Sequence, residues 1–199
     1  MKPSDLLSAL HVAERLKDAT RHCYTSGGRH ESVAEHSWRL ALMAWWLRDD
    51  FPEADMDKVI RMCLIHDLGE SFTGDIPTFE KTETDTLEED DLFHSWVMSF
   101  PEPQRDEWRG LLEEMDALET KEAKLYKALD KLEALISHNE SDLSTWIPLE
   151  YDLQLTYGQE NMQFSEYLKE FRALIDAWTL DKIEKESGKG TVAAESVAE

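Results

Sequence analysis

Apolar residues recur along most of the chain at helical spacing, and no convincing run of strand-like alternation interrupts them. Leu6, Leu7, Leu10, Ala13 and Leu16 follow that spacing behind Ser4, which is placed to cap the segment. Residues 23–30 contain Gly27-Gly28 and read as a loop. Ser32-Val33-Ala34-Glu35 is a capping box, Ser at the cap and Glu three residues on, and it opens a helix predicted to run to about Asp49. A third helix starts near Asp55 or Asp57, carries Val59, Ile60, Cys63 and Leu64 inward, and ends around Leu68-Gly69. Thr73-Gly74-Asp75-Ile76-Pro77 is turn chemistry. Further helices are predicted over 84–99, 104–118 and 119–139, with Pro101 and Pro103 breaking the chain between the first two. The last strong helix spans 163–180 through Phe164, Tyr167, Leu168, Phe171, Leu174, Ile175 and Trp178. After Ile183 the aromatics cease, so residues 184–199 read as a polar tail behind one all-α domain covering 1–183.

Charge narrows the possible partners. Asp and Glu number 43 against 21 Lys and Arg, a formal net charge of −22. Such a surface repels a phosphate backbone and an anionic bilayer, which argues against nucleic-acid and peripheral-membrane binding. A site for a phosphorylated small molecule must then be locally cationic, through a metal or a buried Arg. The longest apolar run, Leu40 to Leu47, is too short to span a bilayer, and the amphipathic N-terminus with Asp5 and Glu14 does not read as a signal peptide. Cys23 and Cys63 are the only cysteines, without CxxC spacing, which favours a reducing, cytoplasmic setting over a disulfide framework or thiolate zinc site. The acidic run Glu83 to Asp91 reads as a solvated helix face. Tryptophans at helical spacing read as core or interface. Trp45 and Trp46 cannot both face one core, so one of them is a candidate subunit contact.

Seven histidines are present, and two stand out. His36 shares a helix face with Leu40, Met43 and Leu47; alone, that is the pattern of a satisfied core histidine. His66-Asp67 ends an apolar helix, where a buried carboxylate is costly unless it is paired or bound to a metal. Adjacent helix positions are about 100° apart, so both side chains can converge on one cation near the helix end. Glu70 follows on the same side, one turn on. Asp130, inside Tyr126-Lys127-Ala128-Leu129-Asp130-Lys131-Leu132, is either a fourth ligand or a surface acid paired with Lys127.

His36, the His66-Asp67 doublet and Asp130 resemble the H…HD…D signature of the HD-domain metal-dependent phosphohydrolases. Glu31-Ser32-Val33-Ala34-Glu35-His36-Ser37, His66-Asp67-Leu68-Gly69-Glu70, Thr73-Gly74-Asp75-Ile76-Pro77-Thr78 with Lys81, and Lys127-Ala128-Leu129-Asp130-Lys131 resemble one branch of it. That branch comprises the small bacterial 5′-deoxynucleotidases (YfbR-like) and their eukaryotic HD-domain-containing-2 relatives. The resemblance runs from about Leu16 to His138.

It implies an HD-domain helical bundle, a homodimer, and one divalent ion (Co, Mn, Mg, Fe or Zn) on His36, His66, Asp67 and Asp130. It implies attack on the 5′-phosphate of a deoxynucleoside monophosphate by water that the metal activates. Glu70 is then the general acid/base, Asp75 a second group serving reaction and substrate positioning, and Arg21 the phosphate clamp, with Lys81 as a further substrate contact. His22 stands where relatives carry a Trp against the sugar, so deoxyribose selection is weakened at that position. Only His94 lies between Asp67 and Asp130, which favours one metal over two. Lys81, Lys127 and Lys131 would suit the alternative of a deoxynucleoside triphosphate triphosphohydrolase. A non-catalytic nucleotide-binding module is the other alternative, and the presence of Glu70 and Asp75 argues against it.

Overall fold

The computed structural model describes the backbone of residues 1–195 and the side chains of residues 1–186; residues 196–199 of the expected tail lie outside the described residues. The architecture is helical, with one two-stranded sheet, as the all-α expectation requires. The described chain divides into two compact units.

The first unit comprises Met1–His22 and His30–Asp130. It holds α1 (Pro3–Ala13), α2 (Val33–Trp46), α3 (Met56–Ile65), α4 (Glu70–Thr73), α5 (Glu83–Met98), α6 (Gln104–Ala117) and the first half of α7 (Lys121–Glu140). Its centre is α2 packed on α3: Val33, Leu40, Ala44, Val59, Met62 and Cys63 are all fully buried. Ser32 caps α2 as its sequence implies. The Ser32 hydroxyl accepts from the Glu35 amide at 3.3 Å, while the Glu35 carboxylate accepts from the Ser32 amide at 2.9 Å. Asp55 caps α3, accepting from the Lys58 amide at 3.0 Å.

The second unit comprises Cys23–Arg29 and the chain from Lys131 onward. It contains the second half of α7, α8 (Pro148–Thr156) and α9 (Glu166–Glu195). Leu132, Leu135, Met162, Leu168 and Ile175 form its apolar interior. Gln154 donates to the Leu135 carbonyl at 2.7 Å, and Asn139 and Thr179 bond each other at 3.0 Å, so these three buried side chains are partnered.

Several sequence expectations change. Thr20–Tyr24 and His30–Ser32 form strands β1 and β2 where only a loop was expected; the loop shrinks to the hairpin tip, closed by the Thr25 amide donating to the Arg29 carbonyl at 2.7 Å. Neither strand is long enough to display alternation. The N-terminal helix is real but buries nothing: Leu6, Leu7 and Leu10 are half exposed, and Leu16 alone of its apolar set reaches the core, from a 3₁₀ turn over Glu14–Lys17. On α9 the buried face is Leu168, Arg172, Ile175 and Thr179, whereas Tyr167, Leu174 and Trp178 stay exposed. Arg172 lies inward because it donates to the Tyr157 and Gln154 carbonyls and to Asp176. The α9 backbone continues to Glu195, past the expected end at 180. No helix among the described residues is long and apolar enough to cross a membrane.

Replacing the α2 cap, Ser32→Ala, is expected to lower stability by about 1 kcal/mol, the usual worth of an N-cap. Chemical denaturation checks it; an unchanged midpoint would show that the capping box contributes nothing at this helix.

Candidate metal centre

His36 lies one turn into α2, its ring fully buried against the α3 side of the first unit. α3 ends at Ile65, three residues earlier than its sequence suggests, so His66 and Asp67 occupy a tight turn between α3 and α4. The His66 amide donates to the Met62 carbonyl at 3.0 Å and the Leu68 amide to Ile65 at 3.0 Å, which fixes the turn. Asp130 comes from α7, which runs as one uninterrupted helix through this position.

These residues converge. The Nε2 atoms of His36 and His66 are 3.3 Å apart. Asp67 Oδ2 lies 3.0 Å from His66 Nε2 and 3.7 Å from His36 Nε2. Asp130 Oδ1 lies 3.3 Å from His36 Nε2 and 3.6 Å from His66 Nε2. The two sequence readings of Asp130 coexist, because its other oxygen, Oδ2, faces Lys127 Nζ at 3.4 Å.

The donor set fits a divalent cation. His66 Nδ1 sits 2.9 Å from the Cys63 carbonyl, which only accepts, so Nδ1–H donates there and Nε2 is turned into the cluster. At 3.3 Å the two Nε2 atoms need a proton or a metal ion between them. Ligand atoms of His36, His66 and Asp67 all lie within 4.8 Å of one another, close enough for one ion to reach. The electrostatics agree in sign. Burial pushes the His66 imidazole down, but Asp67 and Asp130 overcome it and raise its pKa to about 10. Burial also opposes ionisation of Asp67, yet the His66 and His36 charges hold its carboxyl well below the ordinary range. The cluster calls for positive charge.

Around it, Glu70 opens α4 and is buried, its Oε2 enclosed without a hydrogen-bond partner. Burial, then the Asp67, Asp75 and Glu89 charges, push its carboxyl up to about 10. Asp75 follows Gly74, whose φ of 80° and ψ of 163° ends α4 in a region open only to glycine. Burial raises Asp75 against the pull of Arg21, so Arg21, Asp75 and the cluster share one field. Arg21 Nη1 is held by buried Glu31 at 3.1 Å. His22 packs edge-on to Phe79, ring centroids 5.4 Å apart. Lys81 Nζ is bound by Glu89 Oε2 at 2.7 Å. His94 pairs with Asp116 at 3.4 Å, on α5 and α6.

Sequence reasoning missed three residues here. Glu31 belongs to the motif ahead of α2 and carries no signal there beyond its position next to the cap. Tyr126, whose ring centroid lies 6.2 Å from that of His66, reads in sequence only as a neighbour of Asp130. Glu89 lies in an acidic run whose pattern predicts a solvated face throughout.

Comparison with known proteins identifies the family. Residues 13–172 match the family profile described as HD domain. The human protein named 5′-deoxynucleotidase HDDC2 is 32% identical over 139 residues, 68% of this chain and 67% of its own. The chain belongs to the HD-domain family of metal-dependent phosphohydrolases. The Schizosaccharomyces pombe protein named 5′-deoxynucleotidase hdd1 is 27% identical over 73% of this chain and 81% of its own. A crystal structure from Magnetospirillum magnetotacticum MS-1, described as a predicted metal-dependent phosphohydrolase, is 26% identical with a TM-score of 0.73, covering 91% of this chain and 95% of that one. In this HD-domain chain the His/Asp cluster has the composition to bind a metal.

The raised groups predict a pH dependence for the protein stripped of metal by a chelator. Glu70 and His66 both have folded pKa values near 10, above their ordinary 4.5 and 6.5. The folded chain therefore keeps protons that the unfolded chain releases, and stability falls as pH rises through this interval, most steeply from about 6.5 to 10 where both act. Asp67 has the opposite sign and matters only in strong acid. Thermal unfolding at pH 6 and pH 9 checks this; an equal or higher melting temperature at pH 9 contradicts it.

Proposed function

We propose that this HD-domain protein hydrolyses the 5′-phosphate of deoxynucleoside monophosphates, with one divalent ion (Co, Mn, Mg, Fe or Zn) held by His36, His66, Asp67 and Asp130. The observation that carries the reading is Glu70: a buried carboxyl with an unpartnered oxygen, its ionisation opposed by burial and by the charges of Asp67, Asp75 and Glu89, beside the His/Asp donor set. A binding module has no use for an unsatisfied buried acid, which costs stability. When bound, a divalent ion supplies Lewis acidity toward water and the phosphoryl group. Glu70 donates its proton to the departing 5′-oxygen, so that phosphomonoester and water give nucleoside and inorganic phosphate. Asp75 orients the substrate from the turn after α4. Arg21, held in place by Glu31, clamps the phosphate oxygens. His22 lines the sugar side, buttressed by Phe79.

The paired lysines favour a monophosphate over a triphosphate. Lys81 is bound to Glu89, Lys127 to Asp130, and Lys131 to the Tyr157 hydroxyl at 2.6 Å. Lys81 and Lys127 are thus each already balanced by a carboxylate. The names of the human and fission-yeast relatives point the same way. We take residues 1–183 as the HD-domain portion of a cytoplasmic protein, with no nucleic-acid or membrane partner, given the net charge of −22.

Phosphate release from deoxynucleoside mono- and triphosphates, with several divalent metals, tests the reading. Inorganic phosphate from the monophosphate is expected; tripolyphosphate released from the triphosphate alone would replace the assignment. Asp67→Asn should lose both ion and activity, since an amide removes an anionic oxygen the donor set relies on. Glu70→Ala should retain the ion while its rate falls about 10²–10⁴-fold, the scale of a general acid/base. Metal content falling in parallel with rate would make Glu70 a ligand instead.

We further propose a homodimer through α2. Trp38, Trp45 and Trp46 are 62%, 57% and 72% exposed on it, a concentration of aromatic surface that a monomer rarely leaves in water. Sedimentation is expected to give twice the 23.1 kDa chain mass. Trp46→Glu should halve it, and a wild-type monomer at micromolar concentration removes the proposal.

A further inference from the structure

The acidic run on α5 is not uniformly solvated. Glu89 turns inward, its side chain 12% exposed, and its Oε2 accepts from Lys81 Nζ at 2.7 Å. It rides against the turn that carries Asp67: a β-carbon placed on Gly69 would lie 2.8 Å from Glu89 Cγ. Gly69 has an ordinary helical φ of −57°, so glycine serves here to admit Glu89, not to reach an unusual conformation. Lys81 in turn lies in the field of Glu70 and Asp67, so the pair stands beside the reacting groups. Arg21 repeats the pattern on the other side, bound to buried Glu31 at 3.1 Å.

Each cation next to the centre thus already carries a carboxylate. An incoming phosphate must compete with that carboxylate for the cation. A monophosphate, with about two negative charges, can be met by a divalent ion on the donor set together with Arg21. A triphosphate brings further charge, and on the α5 side Glu89 both occupies the Lys81 ammonium and repels the tail, while Lys127 is already committed to Asp130 at 3.4 Å. We propose that Glu89 is a specificity-determining residue that excludes polyphosphorylated nucleotides from this site by holding Lys81. The proposal rests on the monophosphatase reading and names the group that enforces it.

Two substitutions move the same ratio in opposite directions. Glu89→Gln keeps the shape, removes the repelling charge and releases Lys81. The dissociation constant for dATP should fall about tenfold or more relative to that for dAMP, measured by calorimetry, and any triphosphate turnover should rise relative to monophosphate turnover. Lys81→Gln leaves Glu89 uncompensated, so the preference for dAMP should widen. A pair that merely braces α5 would shift both ligands equally in both variants and lower the melting temperature; that result overturns the proposal, as does a dATP to dAMP ratio that moves the same way in both. If Glu89→Gln does not fold, the Lys81→Gln ratio decides by itself, and no widening sinks the idea. Failure of wild-type protein to hydrolyse dAMP at all is a different outcome, which removes the underlying functional reading and with it this inference.

Discussion

Burying the Asp67 and Asp130 carboxylates beside each other sets the terms for the whole site. Neither anion can leave water without a compensating positive charge within a few ångströms, and the chain as a whole, at −22, offers no diffuse background of cations. His36 and His66 are brought against them from α2 and from the α3–α4 turn, all within the first unit. Their nitrogens approach so closely that the cluster is stable only with a proton or a metal ion inside it. The capping box of α2, the helix-ending bonds of α3 and the unbroken run of α7 through Asp130 then have a common purpose, which is to hold four donors at separations that a cation can bridge.

A strongly acidic protein that handles a phosphate ester has few cations to spare, and here they are fixed by carboxylates. Arg21 is tethered by Glu31, Lys81 by Glu89 and Lys127 by Asp130. Such tethering orients a long flexible side chain before substrate arrives, which reduces the ordering cost of binding. It also subtracts charge from the pocket. Orientation and restraint come from the same contacts, so a site can be attractive to a small dianion without attracting every polyanion.

The parts of the site legible in the sequence were those encoded by local spacing. His36 one turn behind a capping box, and His66-Asp67 at the end of an apolar helix, both announce burial of polar groups, and the surrounding motifs carried a family resemblance. Helix positions were legible for the same reason. Tertiary pairing was not. Nothing in Glu83 to Asp91 distinguishes Glu89 from its neighbours until α5 is laid against Gly69, and nothing near Arg21 says that its partner lies across a strand pair too short to show alternation. Of the apolar set Phe164, Tyr167, Leu168, Phe171, Leu174, Ile175 and Trp178, Leu168 and Ile175 lie inward as their spacing implies, but Phe164, Tyr167, Leu174 and Trp178 do not. Arg172 and Thr179 of α9 take inward places because their bonding partners lie there. The fold class followed from periodicity; the orientation of that helix depended on hydrogen bonds with residues far along the chain.

The short helix α4 shows how little structure is needed to assemble the reacting groups once the centre exists. It has four residues, Glu70–Thr73, too few to be stable alone. A glycine stands at each end, for different physical reasons. Gly69 lacks a β-carbon so that Glu89 can pass, which puts the Lys81 pair beside Glu70. Gly74 takes a backbone conformation that a side chain would forbid, in open space, and so turns Asp75 back into the field of Arg21 and Asp67. One glycine is selected by its surroundings and the other by its own dihedral angles. Between them the helix turns its first two residues inward: Ser71, whose hydroxyl donates to the Leu68 carbonyl at 2.7 Å, and Glu70, which keeps one carboxyl oxygen without a partner.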